Sequence, residues 1–130
     1  KKLQIEARVI GDMCLNHVIP AAVKYQNILI ENVKGMKDIF GEESVELCAS
    51  EMATLKSISM YINKLSADVE SLVNARKKAN VIEDVAERAK MYSHEVKDMM
   101  EEVRKSADNL EMLIDDEMWP LPKYRELLFF

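Results

Sequence analysis

The sequence is dominated by two long runs of heptad-spaced apolar residues, separated by the short segment Lys77-Lys78-Ala79-Asn80. The first run consists of Leu55, Ile58, Ile62, Leu65, Val69 and Leu72. The second run consists of Ile82, Val85, Ala89, Tyr92, Val96, Met99, Val103, Ser106, Leu110 and Leu113. Steps of three and four residues place one apolar stripe on one side of an α-helix, whereas a strand needs alternation at every second residue. A narrow stripe packs against another helix, so we predict a helical hairpin over residues 44–116.

The first forty residues carry two neighbouring apolar stripes. One contains Leu3, Ala7, Ile10, Cys14, His17, Ala21, Tyr25 and Ile28, and the other contains Val9, Val18, Ala22, Leu29, Val33, Met36 and Phe40. Two adjacent stripes predict a helix that is buried over a wide face. Pro20 lacks the amide that would bond to the carbonyl of Asn16, which predicts a kink or a break near residues 16–20. Gly41 is expected to end this helix, because glycine adopts a positive φ without steric cost.

The turn between the two heptad runs has its own signals. Lys77 and Lys78 suit the last turn of a helix, and Asn80 with Glu83 matches a capping box for the next one. A connection this short makes its two helices antiparallel neighbours. We therefore predict an all-α fold, a long up-down-up antiparallel three-helix bundle. Its expected parts are helix 1 at about 2–40, helix 2 at about 43–79, helix 3 at about 81–116 and an extended tail at 117–130, all within one domain of residues 1–130.

Composition narrows the class of protein. The chain has 130 residues, a formal net charge of -5 and a pI near 5.1, so a nucleic-acid partner is not expected, because phosphate binding needs a basic surface. The apolar run at residues 18–23 is far shorter than the roughly 20 residues that span a bilayer, so no membrane partner is expected. We expect a cytoplasmic protein. Because the chain begins inside an amphipathic pattern without methionine, we predict a fragment of a longer protein.

Residues with catalytic or metal-binding chemistry are sparse. Cys14 and Cys48 are read as small buried apolar groups, in preference to a disulfide or a metal site. His17 lies on an apolar stripe, and His94 has only Glu95 and Asp98 nearby, which is more typical of a solvated face than of a metal site. Acidic pairs on a helix point to different sides and are read as solvated, and methionines spread over two helices are typical of core gap-filling or of a subunit contact. We predict no catalytic, cofactor-binding or metal-binding residue in this chain.

The end of the chain concentrates large apolar groups around two prolines. It holds the sole tryptophan and two of the three phenylalanines. Such groups pack back on the bundle or dock on something outside the chain, and the residues leave both alternatives open. The candidate inter-domain contact residues are Trp119, Pro120, Leu121, Pro122, Tyr124, Leu127, Leu128 and Phe129.

Several segments resemble the C-terminal region of type III glutamine synthetase. They are the opening Lys1-Lys2-Leu3-Gln4-Ile5-Glu6-Ala7-Arg8, the stretch Asn16-His17-Val18-Ile19-Pro20-Ala21-Ala22-Val23-Lys24-Tyr25-Gln26-Asn27, and the close from Asp115 to Phe129 that includes Met118-Trp119-Pro120-Leu121-Pro122. Ile30-Glu31-Asn32-Val33-Lys34-Gly35 and Ala75-Arg76-Lys77-Lys78-Ala79-Asn80 fit as well. The resemblance covers essentially the whole chain in order, although its hairpin middle is ordinary coiled-coil-like sequence.

The resemblance implies a parent enzyme that makes glutamine from glutamate and ammonia with ATP and a divalent metal, Mg or Mn. Such a parent would be a large cytoplasmic homo-oligomer of bacterial nitrogen metabolism, with its catalytic residues upstream of this chain. The chain itself would be inactive and would pack on the catalytic domain or on neighbouring subunits. The alternative is a free-standing helical interaction or coiled-coil module. Helices that pack within one chain and helices that pack between chains have the same heptad pattern, so the heptads do not distinguish the two.

Overall fold

The computed structural model describes residues 2–114, and all regular structure in that range is helical, which confirms the predicted all-α class. Predictions about residues 115–130 lie outside the described residues. The elements are α1 (Lys2–Met13), a π-helical turn (Cys14–Val18), α2 (Ile19–Phe40), a 3₁₀ turn (Gly41–Glu43), α3 (Ser44–Leu47), α4 (Ala49–Asn80), α5 (Val85–Met91), a second π-helical turn (Tyr92–Val96) and α6 (Lys97–Glu111). The backbone stays in the α region at both edges of each π turn, so three long helices result, at residues 2–40, 49–80 and 85–111. None of the helices within residues 2–114 combines the length and the apolar character needed to cross a membrane.

The first helix continues through Pro20 instead of breaking there. A wider π turn precedes the proline, and the amide of Ile19 donates to the carbonyl of Cys14, five residues earlier. A π turn holds one residue more than an α turn, which changes the set of carbonyls that face Pro20. Of the predicted kink or break, the break does not occur within the described residues, since proline's missing hydrogen bond coincides with a local widening of the helix.

Beyond the π turn the buried face includes members of both predicted stripes. Ala7 and Cys14 of the first stripe are in the core, Val18 and Ala22 of the second stripe are fully buried, and Ala21 of the first stripe is buried as well. The first stripe loses its later member Ile28, which is 54% exposed. His17, predicted on an apolar stripe, is exposed as well, and it lies inside the π turn.

The second helix matches its predicted heptads at four of six positions, and Leu55 and Ile62 are only half-buried. Ile58, Leu65, Val69 and Leu72 are all at most 1% exposed, and they form the middle of the core. The third helix follows its prediction only in part. Its core positions are Tyr92, Val96, Met100, Val103, Ser106, Leu110 and Ile114, all buried.

Directly after the second π turn one core position differs from the prediction. Met100 is buried, whereas the predicted Met99 is only half-buried, and Val103, Ser106 and Leu110 are buried as predicted. Val85 and Ala89, also predicted for the core, are exposed, because the first turns of this helix lie at the end of the bundle.

The connection between the second and third helices uses a different cap from the predicted one. The third helix begins at Val85, and its N-cap is Asp84, whose carboxylate accepts a hydrogen bond from the amide of Ala86 at 3.1 Å. The predicted capping box of Asn80 with Glu83 is wrong. Asn80 is instead the last residue of α4, and its side-chain oxygen accepts a hydrogen bond from the Tyr92 hydroxyl.

Side-chain hydrogen bonds fix the register of the three helices. Those between the first and second helices are Gln4 to Asn80 at 3.5 Å, Gln26 to Ser59 at 2.8 Å and Asn32 to Glu51 at 2.8 and 2.9 Å. Those between the second and third are Asn80 with Tyr92 and Asp68 with Ser106, both at 2.5 Å. In both helix pairs, residues later in one helix bond to residues earlier in the other.

Candidate functional site

All eight tail residues proposed from the sequence as contacts, Trp119 to Phe129, lie outside the described residues. Within residues 2–114 the features with functional character are two sets of exposed apolar side chains and one polar network.

The corner between the first and second helices is closely hydrogen-bonded. Gly41 has a φ of 61°, and its amide donates to the carbonyl of Lys37. The Ser44 hydroxyl donates to the carbonyl of Gly41 at 2.7 Å, and the amide of Cys48 donates to the carbonyl of Ser44 at 2.8 Å. Glycine is needed at this position, because a positive φ with ψ near -128° is strained for residues with a Cβ. The corner is thus a defined structure.

Large apolar side chains surround this corner on the outside. We define the corner surface as Ile39, Phe40, Val45, Leu47 and Met52, which are 74%, 45%, 76%, 54% and 44% exposed. The interior positions of the same corner are taken by Ser44 and Cys48, which are 6% and 1% exposed. A soluble fold usually buries its large apolar groups and exposes its small polar ones, and the corner does the opposite. Contiguous exposed apolar groups mark interaction sites.

The first helix presents a second exposed apolar set. We define the outer set as Ile5, Val9, Leu15, Val23, Ile28 and Ile30. Ile5 and Val9 lie one helical turn apart, and Ile5 is 63% exposed. Within this set only Val9 and Ile28 belong to the two predicted stripes, and the other four are exposed apolar residues outside them.

A polar network crosses the interface between the second and third helices. Ser106, which is 1% exposed, donates its hydroxyl to the Asp68 carboxylate. The Lys64 ammonium donates to the same oxygen of Asp68 at 2.9 Å, and it lies 3.6 Å from Glu102. The hydrogen bond to Asp68 raises the pKa of Lys64, with further contributions from the charges of Asp68 and Glu102 and an opposing one from burial. Every group in the network has a structural partner, so it serves to fix helix register.

The cysteines agree with their prediction as buried, free thiols. Burial raises the pKa of Cys14 to about 11. Burial also raises the pKa of Cys48, and the charge of Glu51 raises it further. A thiol with a raised pKa forms little of the thiolate that acts as a nucleophile or as a metal ligand. Neither cysteine has the environment of a reactive thiol.

The described part of the chain also shows no arrangement of side chains suited to binding a metal ion. His94 is exposed and its Nδ1 lies 3.2 Å from the hydroxyl of Ser93. Among residues 2–114 there is no group of three or more His, Cys, Asp or Glu side chains arranged to hold a metal ion. These residues do not fit the divalent metal that the resemblance implies for the parent enzyme, so we assign them no step through such a metal.

The described residues thus define a helical domain with a long apolar core and exposed apolar surfaces. A family model described as the glutamine synthetase C-terminal domain matches residues 1–37, which correspond to most of the first helix. A glutamine synthetase of Bacteroides fragilis (strain YCH46) is 48% identical over 129 residues, which cover 98% of this chain and 18% of that protein. The predicted resemblance is confirmed, and the chain represents the C-terminal domain of the glutamine synthetase family.

More distant relatives extend the match. A type-3 glutamine synthetase of Dictyostelium discoideum is 29% identical over 130 residues, covering 99% of this chain and 18% of that protein. A glutamine synthetase of Butyrivibrio fibrisolvens is 28% identical over 129 residues, again 99% of this chain and 18% of that protein. The chain therefore spans about a fifth of the length of these relatives.

The corner surface was missed by the sequence reasoning, although a signal for it is present. Ser44 and Cys48 are four residues apart and so lie on one side of a helix. Val45 and Leu47, between them, must then point elsewhere. The heptad pattern begins only at Leu55, so it makes no prediction about residues 44–48.

Proposed function

We propose that this chain is the non-catalytic C-terminal helical domain of a type III glutamine synthetase and that it supports packing on the catalytic domain or assembly of the oligomer. The observation that carries the proposal is the match of 98% of the chain, at 48% identity, to a protein named glutamine synthetase. The matched region is 18% of that protein, which leaves most of its length for a catalytic part.

The parent in this proposal is an ATP-dependent glutamate-ammonia ligase that uses Mg or Mn. It is a cytoplasmic homo-oligomer of bacterial nitrogen metabolism, and its catalytic and metal-binding residues lie outside this chain. The partners are the catalytic domain of the same chain and neighbouring subunits. The predicted inter-domain contacts at Pro120, Leu121, Pro122, Tyr124, Leu127, Leu128 and Phe129 stay part of the proposal, and the packing of Trp119 is proposed separately.

The first helix is the surface that we assign to this packing. It is the part that the family model matches, and it carries the outer set of exposed apolar side chains. Apolar groups left in water by one domain are covered when a second domain packs on them, with a gain of about 25 cal/mol per Å². The core leaves the outer set uncovered, which suits an inter-domain contact.

We also propose the finer architecture, an up-down-up antiparallel bundle with the first helix kinked near Pro20. Two observations support it. The partner numbers in the hydrogen bonds between helices run in opposite directions, as in antiparallel pairs. A π turn and a proline are two of the recognised causes of helix kinks, and here they are adjacent.

The test replaces exposed apolar groups in the complete parent enzyme. Ile5→Glu together with Ile28→Glu places charge on the outer set without entering the core, because the two side chains are 63% and 54% exposed. We expect a smaller oligomer by light scattering and reduced glutamine synthesis. Met60→Glu is the matched control, since Met60 is 70% exposed but lies on the second helix.

Deletion of the residues equivalent to 44–116 from the parent enzyme is the second experiment. Full activity and an unchanged oligomer mass after this deletion would contradict a role of the hairpin in assembly. Glutamine synthesis by the 130-residue chain alone would contradict the non-catalytic assignment. If the outer-set variant and the Met60 control behave alike, the first helix is not the packing surface.

A further inference from the structure

We propose that the corner surface is the docking site of the chain's own C-terminal segment, residues 115–130, with Trp119 packed against Phe40, Val45 and Leu47. This inference rests on the corner and on the register of the helices, and it is independent of the relationship to glutamine synthetase.

The third helix leads the chain toward the corner. Its residue Tyr92 bonds to Asn80 of the second helix, and fourteen residues later Ser106 bonds to Asp68. The second helix begins at Ala49 beside the corner, so the third helix approaches the corner as it proceeds. Eight residues beyond Ser106, the same register places Ile114 beside about residue 60 of the second helix, at 1.5 Å per residue. Ile114 is 4% exposed, so the chain leaves the described part of the structure from a packed position.

The distance from Ile114 to the corner is short for the chain that follows. From residue 60, Met52 lies about 12 Å along the helix axis and Leu47 about 20 Å, at 1.5 Å per residue. Trp119 is five residues past Ile114 and reaches about 17 Å in extended form, at roughly 3.3 Å per residue. Fully extended, Trp119 thus reaches beyond the level of Met52 and to within about 3 Å of that of Leu47, so its side chain can contact the corner surface.

The composition of the segment matches the surface. It holds the chain's sole tryptophan and two of its three phenylalanines. Next to the corner, about three turns of the second helix, starting at Ala49, extend past the described end of the third helix. Within the described residues, the third helix therefore does not cover these turns, and the segment after Ile114 is proposed to take its place there. The corner supplies exposed apolar side chains around a fixed, hydrogen-bonded backbone, which is a preorganised receptor for an aromatic group.

The experiment uses Trp119 as an intrinsic probe in the full 130-residue chain, where no other tryptophan contributes to the emission. We expect short-wavelength emission and weak iodide quenching in the wild type, both independent of protein concentration. In the double variant Val45→Glu, Leu47→Glu the emission shifts to longer wavelength and quenching rises toward that of free tryptophan. The substituted side chains are 76% and 54% exposed, so circular dichroism should show an unchanged helix content.

The matched control carries the same charges at the opposite end of the bundle. Val81→Glu with Val85→Glu changes two valines that are 77% and 71% exposed, and it should leave the Trp119 emission at its wild-type position. Solvent-exposed emission in the wild type would overturn the proposal. A blue shift that disappears on dilution would also overturn it, because the occupant of the corner would then be a second copy of the chain. An equal response of both double variants would show that the segment docks elsewhere.

Discussion

At the scale of single residues, Gly41 differs in backbone conformation from the two helical glycines, Gly11 and Gly35. Gly35 lies within α2, where nothing approaches within 4 Å of an added Cβ, whereas Gly41 has a φ of +61°. We expect Gly35→Ala to raise the free energy of unfolding by about 0.5–1 kcal/mol, since glycine loses more chain entropy than alanine in a helix. Gly41→Ala should lower it by about 1–3 kcal/mol through backbone strain. Urea unfolding followed by circular dichroism measures both.

Gly11 provides the internal control for this comparison. An added Cβ would lie 3.9 Å from Cγ1 of Val69, which is ordinary van der Waals contact. Gly11→Ala should therefore stabilise the protein like Gly35→Ala, although Gly11 is buried against the second helix. A loss of stability at Gly11 comparable to that at Gly41 would contradict the assignment of the effect to backbone conformation.

Cys14 links stability to alkaline pH. Burial raises the pKa of its thiol from 9.0 to about 11, so the folded state holds the proton more tightly than the unfolded state. The resulting stabilisation is complete below pH 9 and is lost as the pH rises toward 11. We expect the stability difference between wild type and Cys14→Ala to shrink by about 2 kcal/mol between pH 8 and pH 10.5, as linkage requires. Urea titrations of both proteins at a series of pH values measure this difference.

Taking the difference in unfolding free energy between wild type and the alanine variant removes the effect of titrating tyrosines and lysines, because both proteins contain the same ones. It also carries the same cavity cost at every pH, so only the change of the difference with pH is informative. A difference that stays constant up to pH 10.5 would show that Cys14 titrates normally in the folded state.

At the scale of helices, the sequence predicted most of the core of the second helix and a smaller part of that of the third helix. A uniform three-four rhythm described Ile58 to Leu72, because that helix is a regular α-helix. In the third helix the buried residues Tyr92, Val96 and Met100 are spaced by four and four. Two successive steps of four locally exceed the heptad average, and the π turn accommodates them, before two steps of three to Val103 and Ser106 restore the predicted register. The same steps of four occur in the first helix at Cys14, Val18 and Ala22, around its own π turn.

This interpretation predicts the result of single-residue deletions in the third helix. Deleting the exposed Glu95 removes the extra residue, so Tyr92, Val96 and Met100 become spaced by three and four in a regular α-helix. We expect a cooperative unfolding transition, with a loss of about 1–2 kcal/mol for the disturbed packing. Deleting the equally exposed Glu101 from the regular part of α6 turns Val103, Ser106 and Leu110 away from the core by about 100°.

Thermal unfolding followed by circular dichroism distinguishes the two deletions. We expect the Glu101 deletion to lose its cooperative transition, because it displaces the core residues that follow it. Similar transitions for both deletions would show that the π turn carries no register function. The π turn of the first helix is a poorer site for this test, since Pro20 would then stand in a regular α-helix at a cost of about 3 kcal/mol.

At the scale of the whole molecule, periodicity could predict that the chain is helical and where its middle is buried. It could not predict the surfaces at the ends, because exposure there depends on where neighbouring helices stop. Val85 illustrates this limit: it continues the heptad pattern, yet it is 71% exposed because the third helix begins there. The corner surface is the same effect at the opposite end, where α4 begins beside α2 and α3.

The end of the bundle opposite the corner is closed by a polar junction that joins all three helices. The oxygen of the Asn80 side chain accepts one hydrogen bond from Tyr92 of the third helix and one from Gln4 of the first. Tyr92 is 7% exposed, so its hydroxyl loses its protein partner when the amide is removed. A neutral hydrogen bond contributes about 0.5–1.5 kcal/mol, and the cost is higher when a buried partner remains unsatisfied.

A double-mutant cycle of Asn80→Ala and Tyr92→Phe tests whether this junction couples the helices. We expect each single variant to lose about 1 kcal/mol, and the double variant to lose less than their sum, with a coupling of about 0.5–1.5 kcal/mol from urea unfolding. Asn74→Ala, at an exposed position of the same helix, is the matched control and should show no coupling with Tyr92→Phe. Additive losses for Asn80 and Tyr92 would mean that the helices at this end are held by apolar packing alone. Coupling would mean that the Asn80 amide at the end of the second helix holds the first and third helices in register. Beyond it the apolar residues Val81 and Val85 are exposed, so they contribute little packing.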